Sequence, residues 1–169
     1  MVKSYSISSL ILFCITLAET AILSNITVLP AVPDLILITV MFFSLLNGKL
    51  YGETTGFISG LFLDFLSGSP FGFNCLFRTF MGYLTGSLHG FVNYNGILIP
   101  MLLGAVGTVL KAFLIWMVSL FFPNYIMTYT LISIPFLFEL IANTLLTPIM
   151  FKFLNVFTRM ISSESEEII

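Results

Sequence analysis

Charge is what this 169-residue chain has least of: Asp, Glu, Lys and Arg together make up 8% of it. A soluble domain carries about a quarter, so a fold with so little polar surface cannot be covered for water. Basic residues are scarce too, six against eight acidic ones. That leaves no polybasic surface and no case for nucleic acid. The two cysteines, Cys14 and Cys75, lie inside apolar runs without a partner at metal-ligand spacing and are read as small apolar packers. His89 stands at the edge of an apolar run with no second ligand near it, as an interfacial side chain. The motifs of nucleotide loops, H-E-x-x-H zinc sites and G-x-S-x-G nucleophile elbows are missing. No catalytic residue, cofactor or metal site is therefore expected, and the chain is read as not an enzyme.

What remains is apolar. The hydrophobic share is 58% and the mean hydropathy is +1.09, which make lipid the natural solvent. A helical span needs about 20 residues, and the apolar runs leave room for about six, at residues 5–24, 33–47, 50–67, 71–90, 97–122 and 130–153. The expected fold is all-α, a single transmembrane domain of six helices with a polar, acidic tail at 160–169. The first run follows Met1-Val2-Lys3 in the manner of a signal peptide. It is long for one and lacks a clear cleavage site, so it is read as a retained span. Punctuation sets the other boundaries. Pro33 and Asp34 suit a helix start, Asn47-Gly48 breaks the second span, and Ser67-Gly68-Ser69-Pro70 turns the third into the fourth. Pro148 should bend the sixth.

Charge placement tests that partition. Six spans put both termini and the second and fourth loops on one side, which then collects Lys3, Lys49, His89, Lys152 and Arg159. Basic residues mark the cytoplasmic face, so both termini are expected in the cytoplasm.

Six ionisable residues fall within apolar runs: Glu19, Glu53, Asp64, Arg78, Lys111 and Glu139. A charge at the bilayer centre costs about 2.5–3.5 kcal/mol on insertion scales, so each should face protein or a partner. Counting at about 1.5 Å per residue brings Asp64 and Arg78 within reach across the turn between spans three and four. Glu19 is a second candidate partner for Arg78. The same count sets Lys111 and Glu139 at nearly one depth, as another pair. Opposite signs at matched depth favour ions that fix helix neighbours over a proton or ion path. Glu139, Asn143 and Thr147 share one face of the sixth span, a packed polar seam. Glycine recurs at every fourth residue: Gly52, Gly56 and Gly60 lead to Asp64, and Arg78 leads to Gly82, Gly86 and Gly90. Each row is one stripe of a helix, and small residues let helices approach closely in lipid. A tight hairpin of spans three and four is expected.

Several of these segments also carry a resemblance. Pro33-Asp34-Leu35, Gly48-Lys49-Leu50-Tyr51-Gly52, Gly56-Phe57-Ile58-Ser59-Gly60 and Leu63-Asp64 through Gly68-Ser69-Pro70-Phe71-Gly72-Phe73-Asn74 stand in the order found in the rod shape-determining MreD family, as do Arg78 and Gly82-Tyr83-Leu84-Thr85-Gly86. The likeness covers about residues 33–90. It implies a non-enzymatic component of the bacterial cell-elongation machinery in the cytoplasmic membrane. Such proteins associate with MreC and so link MreB filaments to the synthases RodA and its penicillin-binding transpeptidase partner. It also implies the general fold of the substrate-binding subunits of ECF-type vitamin transporters. Such a subunit is the rival function, and a proton-coupled carrier is a third. Asp34, Asp64 and Arg78 match the family pattern and are read as holding the helix arrangement. The first span lacks the A-x-x-x-A docking face of the transporter subunits, offering Cys14, Ala18 and Ile22 at that spacing.

Overall fold

A computed structural model describes residues 2–26, 29–94, 96–121 and 133–162. Among these the chain is all-helical, without strands. Helix α1 (Val2–Leu17) runs on through a five-residue π turn (Ala18–Ile22) and a short 3-10 turn (Leu23–Asn25). There follow α2 (Leu35–Asn47), α3 (Lys49–Ser67), α4 (Phe73–Gly86), α5 (Leu98–Phe121), α6 (Ile134–Asn155) and the single turn α7 (Thr158–Ile161). Among the described residues three segments are long and apolar enough to cross a membrane: Lys3–Asn25, Leu98–Leu120 and Ile134–Asn155. The protein is an all-α membrane protein.

Helix α2 forms the axis of the bundle. Every residue from Ile36 to Leu45 is buried, as expected of a helix that is apolar all round, and α1, α3, α4 and α6 pack against it. At 13 residues it is only about 20 Å long, shorter than the roughly 30 Å hydrocarbon layer. Its N-terminus therefore has to be satisfied by protein, since unpaired backbone survives in lipid only when it is buried. At the other end Gly48, at φ +88°, takes a conformation open to glycine. It lets α3 begin at the very next residue.

Helices α3 and α4 form the most extensive contact in the fold, followed by α5 with α6. The α3–α4 seam is made of glycine. A Cβ on Gly52 or Gly82 would strike the carbonyl oxygen of the other, and one on Gly56 would strike the Arg78 carbonyl. On Gly60 it would come 2.5 Å from Cys75 Cα, and on Gly86 2.7 Å from Lys49 Cα. Gly90 differs from the expected stripe: it lies beyond α4 at φ +79°, with open space around it. A second close seam was not anticipated. Gly104 of α5 meets Thr147 Oγ1 and the Asn143 carbonyl of α6.

The first and last described turns come together. Ser4 Oγ donates to the Ile161 carbonyl and lies 3.0 Å from Tyr51 Oη, and Ser8 Oγ is 2.7 Å from the same hydroxyl. Nearby in sequence, His89 Nδ1–H donates to the Leu45 carbonyl (2.6 Å), and Tyr94 packs on Phe42 and Phe151. Two readings need correcting. Cys14 is exposed rather than packed, the buried α1 stripe being Ser4, Ser8, Leu12 and Thr16. Residues 160–161 belong to α7, with Ile161 fully buried. The acidic stretch from 163 onward, and the sixth span's expected start at 130–132, lie outside the described residues.

Candidate functional site

The buried N-terminus of α2 gathers most of the intramembrane charge. Asp34 caps it, Oδ1 accepting from Leu37 N at 2.8 Å. The same oxygen accepts from Arg78 Nη2 of α4 at 3.0 Å, and Oδ2 accepts from Lys111 Nζ of α5 at 2.6 Å. Lys111 also reaches Glu139 Oε1 of α6 at 2.6 Å. Asn143 closes the arrangement: its Oδ1 accepts from Asp34 N (2.9 Å) and its Nδ2 donates to Thr108 Oγ1 (3.0 Å). Asp34, Arg78 and Glu139 are each at most 3% exposed. Lys111 stands ten residues before the end of the 24-residue α5, so the cluster lies about 15 Å from that helix's C-terminal end at 1.5 Å per residue. That is mid-membrane depth.

Electrostatics explains why the charges sit there. A helix N-terminus carries roughly half a positive charge, and Arg78 and Lys111 add two full ones facing the Asp34 carboxyl group. Lys111 in turn balances Glu139. Glu19 Oε2 accepts from Ile36 N at 3.1 Å, taking another free donor of the same helix end. It stands on the π turn, where one extra residue per turn re-aims the side chain. Arg78 is not fully satisfied: Nε and Nη1 have no acceptor among the described residues, while its guanidinium carbon lies 5.8 Å from the Phe77 ring centre.

The expected Asp64–Arg78 pair is not formed. Asp64 instead collects the free donors where α4 begins: Gly72 N (2.8 Å), Asn74 N (3.1 Å), Asn74 Nδ2 (2.8 Å), Cys75 N (3.4 Å) and Ser69 Oγ (3.1 Å). Those donors have no intrahelical acceptor, so the carboxylate is used up before Arg78 can claim it. Arg78 turns across the bundle to Asp34. Glu19, the second candidate for Arg78, is engaged at Ile36 N. Lys111 and Glu139 are in contact, but Lys111 is shared with Asp34. The seam on α6 is present, with Thr147 Oγ1 donating to the Asn143 carbonyl (2.5 Å). Asn143 was expected beside Glu139 but not as a partner of Asp34, and Thr108 was not foreseen. The signal for them was faint: Gly104 and Thr108 stand four apart on α5, as Glu139 and Asn143 do on α6.

Chemically the cluster is a lock. Five helices each contribute to it: α2 its end, α4 Arg78, α5 Lys111 and Thr108, α6 Glu139 and Asn143, and the π turn after α1 Glu19. Among the described residues no three His, Cys, Asp or Glu side chains come together in a way that could hold a metal ion.

Comparison with known proteins gives one family. Searches of curated proteins and of solved structures return no match. Residues 2–157 match the family described as rod shape-determining protein MreD. That family is one of shape determination. With the match running from α1 to the end of α6, the chain belongs to the MreD family of rod shape-determining proteins.

Proposed function

We propose that this protein is a non-enzymatic, multi-pass component of the bacterial cytoplasmic membrane that associates with an MreC-type protein. Through it the protein helps couple MreB filaments to RodA and its transpeptidase partner during cell elongation. The observation that carries the reading is the family match over residues 2–157. The geometry supports it, because Asp34, Lys111 and Glu139 are spent on one another and on a helix end. The reading includes six crossings, α1 to α6, arranged as in the substrate-binding subunits of ECF-type transporters. In support, the contact between Ser4 and Ile161 suits an even number of crossings. Asp34, Asp64, Arg78, Lys111, Glu139 and the glycines Gly52, Gly56, Gly60, Gly82 and Gly86 then hold the helices in place.

Affinity purification in mild detergent, followed by mass spectrometry, tests this. A single-span MreC-type protein is expected among the partners. Recovery of ATPase and transporter subunits alone would replace the reading with that of a vitamin-transporter subunit.

A further inference from the structure

Glu53 is the one carboxylate on α3 and α4 that the bundle leaves unused, and the proposed six crossings set it within the membrane. Asp64 is enclosed by five donors. Glu53 is half-buried and has no hydrogen bond or ion pair among the described residues. Lys49, four residues earlier on the same helix, does not serve it; its ammonium lies 5.8 Å over the Tyr83 ring. One turn in from Lys49, about 6 Å along the axis, the carboxylate opens into a cleft of about 660 Å³. The cleft lies where α5, packed chiefly on α6, draws away from α4. Its walls are apolar and largely aromatic, with Phe57, Leu76, Phe80 and Tyr83 on one side and Met117 on the other. From Phe73 to Tyr83 it follows ten residues of α4, about 15 Å or half the hydrocarbon thickness.

An apolar face alone is ordinary in lipid. A lone carboxylate within it is not, since such a group normally finds a cation or donors. Acyl chains have none to give, and a headgroup that carries an ammonium carries a phosphate beside it that offsets the attraction. A transmembrane helix suits both parts of the cleft. Its apolar ridge fills the aromatic walls, and its cytoplasmic end is the end where lysine and arginine concentrate, at the level of Glu53.

We propose that the α4–α5 cleft is the docking groove for one transmembrane helix of a partner protein, anchored by a basic side chain near that helix's cytoplasmic end that pairs with Glu53. The assignment rests on the preceding reading for the partner being a membrane protein, and adds the face and the charge that recognise it.

A photo-reactive amino acid at Phe57 or Leu76 tests the groove in cell membranes, with Ile141 on the exposed face of α6 as control. The expected adduct maps to a transmembrane segment with a lysine or arginine in its inner turn. Its yield should fall at least tenfold in Glu53→Arg and return when that basic residue is changed to glutamate. An unchanged melting temperature of Glu53→Arg establishes that the bundle is intact; if it falls, Glu53→Gln is used, with a smaller expected loss. Adducts to phospholipid only, to a second copy or to the same chain overturn the proposal, as does a yield indifferent to Glu53. Should an MreC-type protein still copurify with Glu53→Arg at the wild-type level, the groove is wrong and the functional reading stands. Should no such partner copurify with the unaltered protein, the functional reading fails whatever occupies the groove.

Discussion

Removing the Asp34 carboxylate would strand Arg78 and take one of two carboxylates from Lys111, which keeps Glu139. Breaking a buried pair by deleting one partner costs about 3–5 kcal/mol. Asp34→Ala should therefore lower the detergent melting temperature far more than a change at an exposed position such as Leu102. The pairing of Arg78 can be tested separately. In a double-mutant cycle Arg78→Ala and Asp34→Ala should couple by about 1–3 kcal/mol, whereas Arg78→Ala and Asp64→Ala should add within about 0.5 kcal/mol. Coupling of Arg78 to Asp64 instead would mean that the buried arginine faces the α3–α4 turn. Asp64 has its own expected signature. As an acceptor for the start of α4, its replacement by alanine should cost about 1–2 kcal/mol, like the loss of other helix caps. Asparagine, which keeps one acceptor oxygen, should recover part of that in the same melting assay.

Helices α3 and α4 meet backbone to backbone, and this makes their glycines unequal. At Gly82 a methyl group would strike the Gly52 carbonyl, and a carbonyl fixed in a helix cannot move aside as a side chain can. Gly82→Ala should separate the pair, with the 1–3 kcal/mol loss, roughly, of an overpacked core. Gly96→Ala meets open space and should leave the melting temperature unchanged. Equal effects at the two positions would show that α3 and α4 do not approach this closely. The four-residue spacing of Gly52, Gly56 and Gly60 announces that seam in the sequence. Gly104 gives no such notice, being a single glycine opposite Thr147. The π turn at Ala18–Ile22, which carries Glu19 to the end of α2, leaves no mark in the sequence either.

For the molecule as a whole, the contact of the first helical turn with Ile161 and the proposed six crossings together predict that Ser6 and Met160 lie on one side of the bilayer. Single cysteines at Ser6 and Met160, in a chain lacking Cys14 and Cys75, should both react with a membrane-impermeant thiol reagent only after the cells are opened. Labelling of one site in intact cells would split the ends and end the six-crossing reading. Composition settled the solvent at the outset, and the pattern settled the helical class: with 8% charged residues the backbone can be satisfied in lipid only within helices or a closed barrel, and long unbroken apolar runs are those of helices. Helix boundaries were also legible where glycine and proline punctuate the chain, as at Gly48 and Ser67–Pro70. So was the shared depth of Lys111 and Glu139, because position along a straight helix is a matter of counting. Partner choice was not. Linear spacing gives depth but not the direction in which a side chain leaves its helix, so Arg78 could be assigned to its neighbour in the hairpin as readily as to the far side of the bundle. Only tertiary structure decided that, by burying the start of a helix shorter than the hydrocarbon layer is thick and giving its capping aspartate, rather than Asp64, to both cations.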